Sequence, residues 1–118
     1  MDFALSDEQR QIRDTFARFA DAEVAPRAAA LDEAHAYPRE LVSRLADLGF
    51  FAMRYPESRG GLGLDLSTFC LALEEIARGS MSLAGCAAMQ ALMGTKFLDL
   101  LGSDEIVEDP PYGRLRPV

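Results

Sequence analysis

The sequence predicts an all-α fold, an orthogonal or up-down bundle of about five to six helices. Apolar residues recur at helical spacing along most of the chain, and glycines and prolines separate the periodic segments. No stretch alternates apolar and polar residues over the length of a half-buried strand. With 118 residues and 49% hydrophobic content, the chain can form one core, so residues 1–106 are predicted to be a single helical domain. Residues 107–118 are predicted to be a disordered tail.

Two helices are predicted in the first third of the chain. Residues 6–9 (SDEQ) have the form of a capping box, in which the serine and glutamine side chains bond backbone amides of the first turn, so a helix begins there. Phe16 and Phe19 lie on its apolar stripe. Pro26 lacks an amide donor and predicts a break or a new helix start, after which the alanine-rich residues 28–34 form a second short helix.

A third helix is predicted between Pro38 and Gly49. Proline is favoured in the first turn of a helix, and glycine is favoured just after its end. Leu41 and Leu45 stand four positions apart and form the buried face of this helix. The apolar residues 50–55 then connect it to the rest of the bundle.

Residues 56–63 (PESRGGLG) are dense in turn residues and are predicted to reverse the chain. Glycine amides at a helix start can also close on a phosphate group. Because no strand pattern precedes these glycines and no Gly-Lys-Ser/Thr sequence follows them, the plain turn is the favoured interpretation. A fourth helix is predicted from Asp65 to Gly79. Its end is placed at Gly79 because helices often end in a residue with left-handed backbone conformation, which the small glycine adopts readily.

A fifth helix is predicted after the cap Ser82, over residues 83–101. It is apolar on most of its faces, whereas a surface helix carries one apolar stripe. A bundle of this size does not cover such a helix on all sides with its own residues, so another domain or subunit is predicted to cover it. Met89 and Met93 lie on this helix and are open to two interpretations, core filler or part of an apolar ligand wall.

The acidic composition excludes several classes of partner. A net charge of −7 opposes binding to phosphate backbones and anionic lipids, so no nucleic acid is expected as a partner. Residues 1–8 carry acids where a signal or transit peptide has Lys or Arg, so export is not predicted. The most apolar window, residues 83–92, is shorter than the roughly 20 residues of a membrane span. The cytoplasm is the expected compartment.

No set of residues forms a catalytic or metal-binding pattern in the sequence. The chain has a single histidine, without another ligand type at the spacing of metal sites. Cys70 and Cys86 are far apart and are predicted to be small core residues. Adjacent helix residues point about a quarter turn apart, so Glu74 and Glu75 do not share a proton or a metal ion. One of the two is predicted to pair with Arg78.

Six short segments stand in a specific order along the chain: 3–9 (FALSDEQ), 23–26 (EVAP), 37–41 (YPREL), 45–49 (LADLG), 56–63 (PESRGGLG) and 73–79 (LEEIARG). In this combination and order they resemble the N-terminal helical domain of the acyl-CoA dehydrogenase family of flavoproteins. The resemblance covers residues 3–106.

The resemblance implies a whole enzyme that removes two hydrogens from the α and β carbons of an acyl-CoA thioester. In the family, FAD carries the redox chemistry, an electron-transfer flavoprotein accepts the electrons, and the enzymes are homo-oligomers. A middle β-domain, a second helical bundle and a neighbouring subunit hold FAD, and the catalytic base is a carboxylate of that second bundle. None of these parts matches this chain, so no catalytic or cofactor-binding residue is assigned and FAD is not expected to bind the chain by itself.

The resemblance also implies a substrate-binding segment. In the family, the helix that follows the LEEIARG segment lines the cavity for the acyl group. That role transfers here to Ala84, Gly85, Ala88, Met89 and Leu92. Positions 84, 85, 88 and 92 share one face of an α-helix by their spacing, and the small residues among them are expected to leave room for a long or bulky acyl chain.

The family pattern stops after residue 106, where a stretch with prolines and a glycine has no helical period. A frameshifted or truncated chain is the favoured explanation, and such a chain is expected to be inactive alone. Two alternatives stay open. The chain is a stand-alone helical module that binds a partner without catalysis, or it is one part of a split flavoenzyme whose other domains come from a separate chain.

Overall fold

The computed structural model describes residues 3–103. They form six α-helices: α1 (Asp7–Phe19), α2 (Ala25–Glu33), α3 (Arg39–Asp47), α4 (Leu66–Gly79), α5 (Met81–Ala88) and α6 (Lys96–Leu101). π-helical turns at Ala20–Val24 and Met89–Gly94 join α1 to α2 and α5 to α6. With these two joined pairs and the separate helices α3 and α4, the domain has four helical rods. This part of the chain contains no strand. The all-α prediction is confirmed, with fewer separate rods than the five to six helices expected.

Side-chain caps begin α1 and α4 where the sequence predicts them. The backbone amide of Gln9 donates to the Ser6 hydroxyl, and the backbone amide of Ser6 donates to the side-chain oxygen of Gln9, each over 3.1 Å. These two bonds complete the predicted capping box. At α4 the Asp65 carboxylate accepts from the Thr68 amide over 2.7 Å. These contacts satisfy amides that have no partner inside the helix.

The cap of α5 differs from the prediction. Ser80 is the one residue between α4 and α5, and its backbone is extended, with φ −161° and ψ 115°. Its hydroxyl accepts from the Leu83 amide over 3.2 Å. The prediction of Ser82 as the cap is therefore wrong, because the link between the two helices is shorter than the sequence pattern indicated.

Three phenyl rings from three segments form the centre of the core. Phe16 of α1 and Phe69 of α4 pack on Phe50, with ring centroids 5.7 Å and 4.9 Å from that of Phe50. Each of the three side chains is at most 3% exposed. Phe50 follows Gly49, whose φ of +80° is the left-handed conformation that glycine adopts readily after a helix end. The apolar connector predicted at residues 50–55 is thus part of the core.

The glycine-rich loop is folded back onto this connector. The Leu62 amide donates to the Ala52 carbonyl over 2.9 Å, and the Gly63 amide donates to the Tyr55 carbonyl over 2.8 Å. Gly61 lies so close to the connector that a β-carbon there would stand 2.1 Å from the Tyr55 carbonyl oxygen. Because these glycines are needed for the close approach of two backbone segments, the geometry supports the turn interpretation of the motif.

Gly79 is required for a reason that the sequence did not predict. Its backbone is not left-handed. A β-carbon at this position would stand 3.0 Å from Val24 and 3.3 Å from Ala20, which are both fully buried in the first π-helical turn. Gly79 therefore lets α4 approach this turn closely, and the predicted role as a left-handed helix end is wrong.

Two arginines pair with acids of the same π-helical turn. Arg78 of α4 donates to Asp21 over 2.7 Å, and Arg44 of α3 donates to Glu23 over 3.2 Å. Hydrogen bonding from these guanidinium groups lowers the pKa of both carboxyl groups. Arg78 also donates to Glu75 over 2.9 Å, so the predicted pair within α4 is present. These pairs are solvent-accessible, and such pairs contribute little to stability.

The prediction that both cysteines are core residues is wrong for Cys70. Its side chain is exposed, whereas that of Cys86 is half-buried. The buried face of α4 includes Phe69, Ala72 and Ile76, and Cys70 is rotated away from it by about a quarter turn. The predicted disordered tail, residues 107–118, lies outside the described residues.

Candidate functional site

An open groove with a volume of about 450 Å³ lies between α4 and α5. Its wall is formed on one side by Cys70, Leu73, Glu74 and Ala77 of α4, and on the other by Met81, Ala84, Gly85 and Ala88 of α5. All of these side chains except that of Glu74 are apolar or weakly polar. The groove therefore suits a hydrocarbon or aryl group, which requires contact area more than hydrogen bonds.

Three of the five residues predicted to bind substrate line this groove. Ala84 is 3% exposed and also packs in the core, while Ala88 is half-buried and Gly85 is exposed. A β-carbon at Gly85 would meet no atom within 4 Å. The α5 side of the groove is therefore low and open, because its three central residues carry one side-chain carbon or none.

The other two predicted residues, Met89 and Leu92, do not line the groove. Met89 is 56% exposed, and Leu92 is half-buried against the core. α5 ends at Ala88, and the π-helical turn Met89–Gly94 begins at the next residue. A π-helical turn bonds residues five apart in place of four, so it changes the direction in which the following side chains point. Contact of Met89 and Leu92 with an acyl group stays a prediction.

A pair of buried hydroxyl groups stands at the end of this π-helical turn. The Thr95 hydroxyl donates to the Gln90 carbonyl over 3.2 Å, five residues earlier, and is hydrogen-bonded to the hydroxyl of Tyr55. Tyr55 is 2% exposed and Thr95 is 8% exposed. Burial raises the pKa of Tyr55, so its hydroxyl stays protonated over the physiological pH range. The sequence analysis did not single out either residue, although a threonine inside an apolar helical segment is a signal for such a contact.

A charged cluster fixes α6 next to this pair. Lys96 donates to Asp99 over 2.7 Å, and Arg59 lies 3.5 Å from the same carboxylate, whose side chain is 8% exposed. The Lys96 ammonium also lies 5.2 Å from the centre of the Tyr55 ring. Because Arg59 belongs to the loop after the core connector, the cluster ties α6 to that loop through polar contacts.

The rod formed by α5, the second π-helical turn and α6 has an exposed apolar face. Its exposed side chains are Met81, Met89, Met93, Phe97, Leu100 and Leu101. Leu101 is 80% exposed and Phe97 is 62% exposed. The excess of apolar residues in the predicted fifth helix is thus located on the surface of the described residues, where a covering partner would bury it.

A second open cavity, of about 430 Å³, lies between α2, the loop that follows it and the start of α5. Ala28 and Leu31 line one side, and Ser80 and Met81 line the other. His35 lies at its edge with φ +48° and is exposed, as expected for a surface histidine. The sequence analysis assigned no site here.

The described residues offer neither a metal site nor a membrane-spanning helix. Among residues 3–103, no three His, Cys, Asp or Glu side chains could hold a metal ion. No helix in that range is long and apolar enough to cross a membrane. In the glycine-rich loop, the backbone amides of Gly60, Gly61, Leu62 and Gly63 donate to carbonyls of residues 52–57. This loop therefore offers no free amides to the phosphates of FAD.

Comparisons with known proteins agree with this architecture. The sequence model of the family described as acyl-CoA dehydrogenase, N-terminal domain, matches residues 6–109. Benzylmalonyl-CoA dehydrogenase of Aromatoleum aromaticum is 72% identical over 108 residues, which are 92% of this chain and 29% of that enzyme. A chain in a structure of the electron transferring flavoprotein of Acidaminococcus fermentans superposes with a TM-score of 0.89 at 27% identity, over 99% of this chain and 31% of that chain.

Butyryl-CoA dehydrogenase of Megasphaera elsdenii superposes with a TM-score of 0.88 at 24% identity, over 99% of this chain and 31% of that enzyme. This chain therefore spans less than a third of the length of these proteins. The family match includes α1 to α6 and both π-helical turns. The chain belongs to the acyl-CoA dehydrogenase family, and the part of the family that it matches is the N-terminal helical domain.

Proposed function

We propose that this chain is the N-terminal domain of a FAD-dependent acyl-CoA dehydrogenase and that the groove between α4 and α5 is part of its acyl pocket. The observation that carries the proposal is the groove itself. Its apolar lining includes Ala84, Gly85 and Ala88, which the family resemblance independently assigns to the acyl site. Met89 stays part of the proposed wall, at the end beyond Ala88, while Leu92 packs partly buried against the core and outside the groove.

The substrate class that we propose is an acyl-CoA with a long or bulky apolar group, such as one with an aryl ring. Alanines and a glycine leave an open volume next to α5, and a ring placed there would meet Leu73 and Met81. Methionine sulfur makes favourable contacts with aromatic rings. The relative that is 72% identical is named for benzylmalonyl-CoA, which carries such a ring.

The residues of this chain contribute position and exclusion of water. An apolar wall holds the acyl group in one orientation and keeps water away from the carbons that react. In the whole enzyme FAD supplies the redox chemistry of α,β-dehydrogenation, and an electron-transfer flavoprotein accepts the electrons. The proposal includes a homo-oligomeric whole enzyme and no activity of this chain alone, since the base and the flavin domains of the family match none of its residues.

A chimera tests the acyl pocket. In it, residues 6–103 of this chain replace the aligned segment of the Aromatoleum benzylmalonyl-CoA dehydrogenase, so that the missing domains are present. Ala88→Phe fills the groove and is expected to lower kcat/KM for 3-phenylpropanoyl-CoA relative to butanoyl-CoA about tenfold or more. Ala30→Phe, at an exposed position of α2 outside the groove, is the matched control and is expected to leave the ratio unchanged. An unchanged ratio in Ala88→Phe would contradict the proposal.

One observation favours the alternative of a non-catalytic binding module or a split enzyme. The exposed face with Phe97, Leu100 and Leu101 is the kind of surface that protein interfaces cover. Flavin content and mass of the purified chain, alone and after mixing with a separately produced chain of the remaining family domains, distinguish the cases. Flavin bound only in the mixture favours a split enzyme, and a tight homo-oligomer without flavin favours a module.

A further inference from the structure

The π-helical turn Met89–Gly94 begins directly after the last residue of the groove, Ala88. π-helical turns are rare, and they occur frequently at functional sites because they redirect side chains inside a helix. This turn has no proline. Proline is therefore not its cause, and side chains that bond the carbonyls of the turn are the alternative.

Thr95 and Tyr55 provide these contacts. The Thr95 hydroxyl donates to the Gln90 carbonyl over 3.2 Å and lies 3.5 Å from the Ala91 carbonyl, so it bonds the carbonyl five residues earlier more closely. The Thr95 hydroxyl is also hydrogen-bonded to the Tyr55 hydroxyl. Tyr55 comes from the core connector, which is held by backbone bonds to the glycine-rich loop. A group outside the rod thus contacts the side chain that bonds a carbonyl of the turn.

The turn determines where Leu92 points. In an uninterrupted α-helix, a residue four positions after Ala88 would lie on the same face as Ala88 and would extend the groove wall with a bulky side chain. Here Leu92 packs partly buried against the core instead, and it is not among the groove residues. The groove consequently ends in alanine, with no large side chain from α5 closing it.

We propose that Thr95, held by Tyr55, is a positioning residue for the acyl site. The pair keeps the second π-helical turn in place, turns Leu92 into the core and so sets the size of acyl group that the groove accepts. This inference rests on the proposed function of the groove. It assigns a specificity role to two residues that touch no acyl group.

The test uses the same chimera and the same pair of substrates. Thr95→Val keeps the shape of the side chain and removes the hydroxyl that bonds Gln90. The turn is then expected to relax toward α-helical bonding and to bring Leu92 onto the groove face. The ratio of kcat/KM for 3-phenylpropanoyl-CoA over butanoyl-CoA should fall about tenfold. Thr95→Ser keeps the hydroxyl and should preserve the ratio, and Tyr55→Phe should lower it by a smaller factor.

A second-site variant separates positioning from a loss of stability. Leu92→Ala in the Thr95→Val background should restore the ratio, since it removes the side chain that fills the groove, although it removes core contacts as well.

Thr68→Val is the matched control. Thr68 lies near the start of α4, is buried like Thr95 with 4% exposure, and its hydroxyl accepts from the side chain of Gln9 in α1. This control should lower stability and leave the ratio unchanged. When each variant is titrated with the non-reacting thioether 3-phenylpropyl-CoA, the affinities should rank the variants in the same order as the kcat/KM ratios do.

The outcomes distinguish the inference from the proposed function. A ratio that stays unchanged in both Thr95→Val and Tyr55→Phe, while Ala88→Phe lowers it, overturns the inference and leaves the acyl pocket in place. A fall that Thr68→Val reproduces, or that Leu92→Ala does not restore, also overturns the inference. If Ala88→Phe has no effect, the groove is not the acyl pocket and both proposals fail. If Thr95→Val does not fold, the same ratio measured in Tyr55→Phe, with and without Leu92→Ala, tests the inference in its place.

Discussion

Large apolar side chains are buried in one region of this domain and exposed in another. Around the first π-helical turn and α4, phenyl rings are buried completely, with Phe50 at 0% and Phe69 at 1% exposure. On α6, Phe97 is 62% exposed and Leu101 is 80% exposed. Both regions are helical and rich in apolar residues. The difference shows that what a helix faces, and not its composition, decides whether its apolar residues stabilise this domain.

The two regions are also attached by different forces. α4 is held by apolar contact with α1, and Gly79 allows a close approach to Val24. No residue of α6 is buried, and the helix is held by the ion pair of Asp99 with Arg59 and by the contact of Lys96 with the Tyr55 ring. Polar attachment leaves the apolar face of α6 available for another surface. The first region therefore stabilises the domain, while the second leaves large apolar side chains exposed.

The largest expected effect comes from deleting the same ring in each region. Phe50→Ala leaves a cavity where two other rings packed, and it should lower the free energy of unfolding by about 3–5 kcal/mol. Phe97→Ala removes an exposed ring and should change it by less than about 0.5 kcal/mol. Urea unfolding followed by circular dichroism measures both. A comparable loss in Phe97→Ala would show that α6 is buried in solution, for example in a dimer, and would break the comparison.

Two glycine substitutions sharpen the comparison further. In Gly85→Ala the new β-carbon meets no atom within 4 Å, so the gain in helix propensity should raise the free energy of unfolding by about 1 kcal/mol. In Gly79→Ala the new β-carbon meets the buried Val24 at 3.0 Å and should lower it by about 1 kcal/mol. Thermal unfolding of the two variants gives the sign of each change. Equal shifts would mean that the packing of α4 on the π-helical turn is not tight.

A further prediction concerns the caps of α4 and α5. Asp65→Ala and Ser80→Ala should each lower the free energy of unfolding at neutral pH, by about 1 kcal/mol for Ser80→Ala. Hydrogen bonding with Thr68 lowers the pKa of Asp65 from 3.8, so its charge stabilises the fold above that pH and the contribution is lost as the pH falls through the lowered pKa. The Asp65→Ala difference should thus shrink in acid. Ser80 does not titrate, and a Ser80→Ala difference with the same pH dependence would contradict this assignment.

Much of the fold was predictable from local chemistry. Ser6 and Asp65 begin helices because a side-chain oxygen next to free amides has the same effect in any chain, and Gly49 ends α3 because its conformation favours glycine. The groove side of α5 was predictable only through the family resemblance. The spacing of an uninterrupted α-helix puts Leu92 on the face of Ala88, whereas the π-helical turn leaves Leu92 packed against the core and outside the groove lining.

The sequence by itself determined the all-α class, most of the caps and turns, the absence of a charge pattern for nucleic acid, and the apolar excess of the last rod. Only the tertiary structure decided that Gly79 serves close packing and that Leu92 leaves the groove. The physical reason is that both depend on atoms distant in the chain. Val24 contacts Gly79 and Tyr55 bonds Thr95 only after the helices have packed, so no local pattern around either residue contains the information.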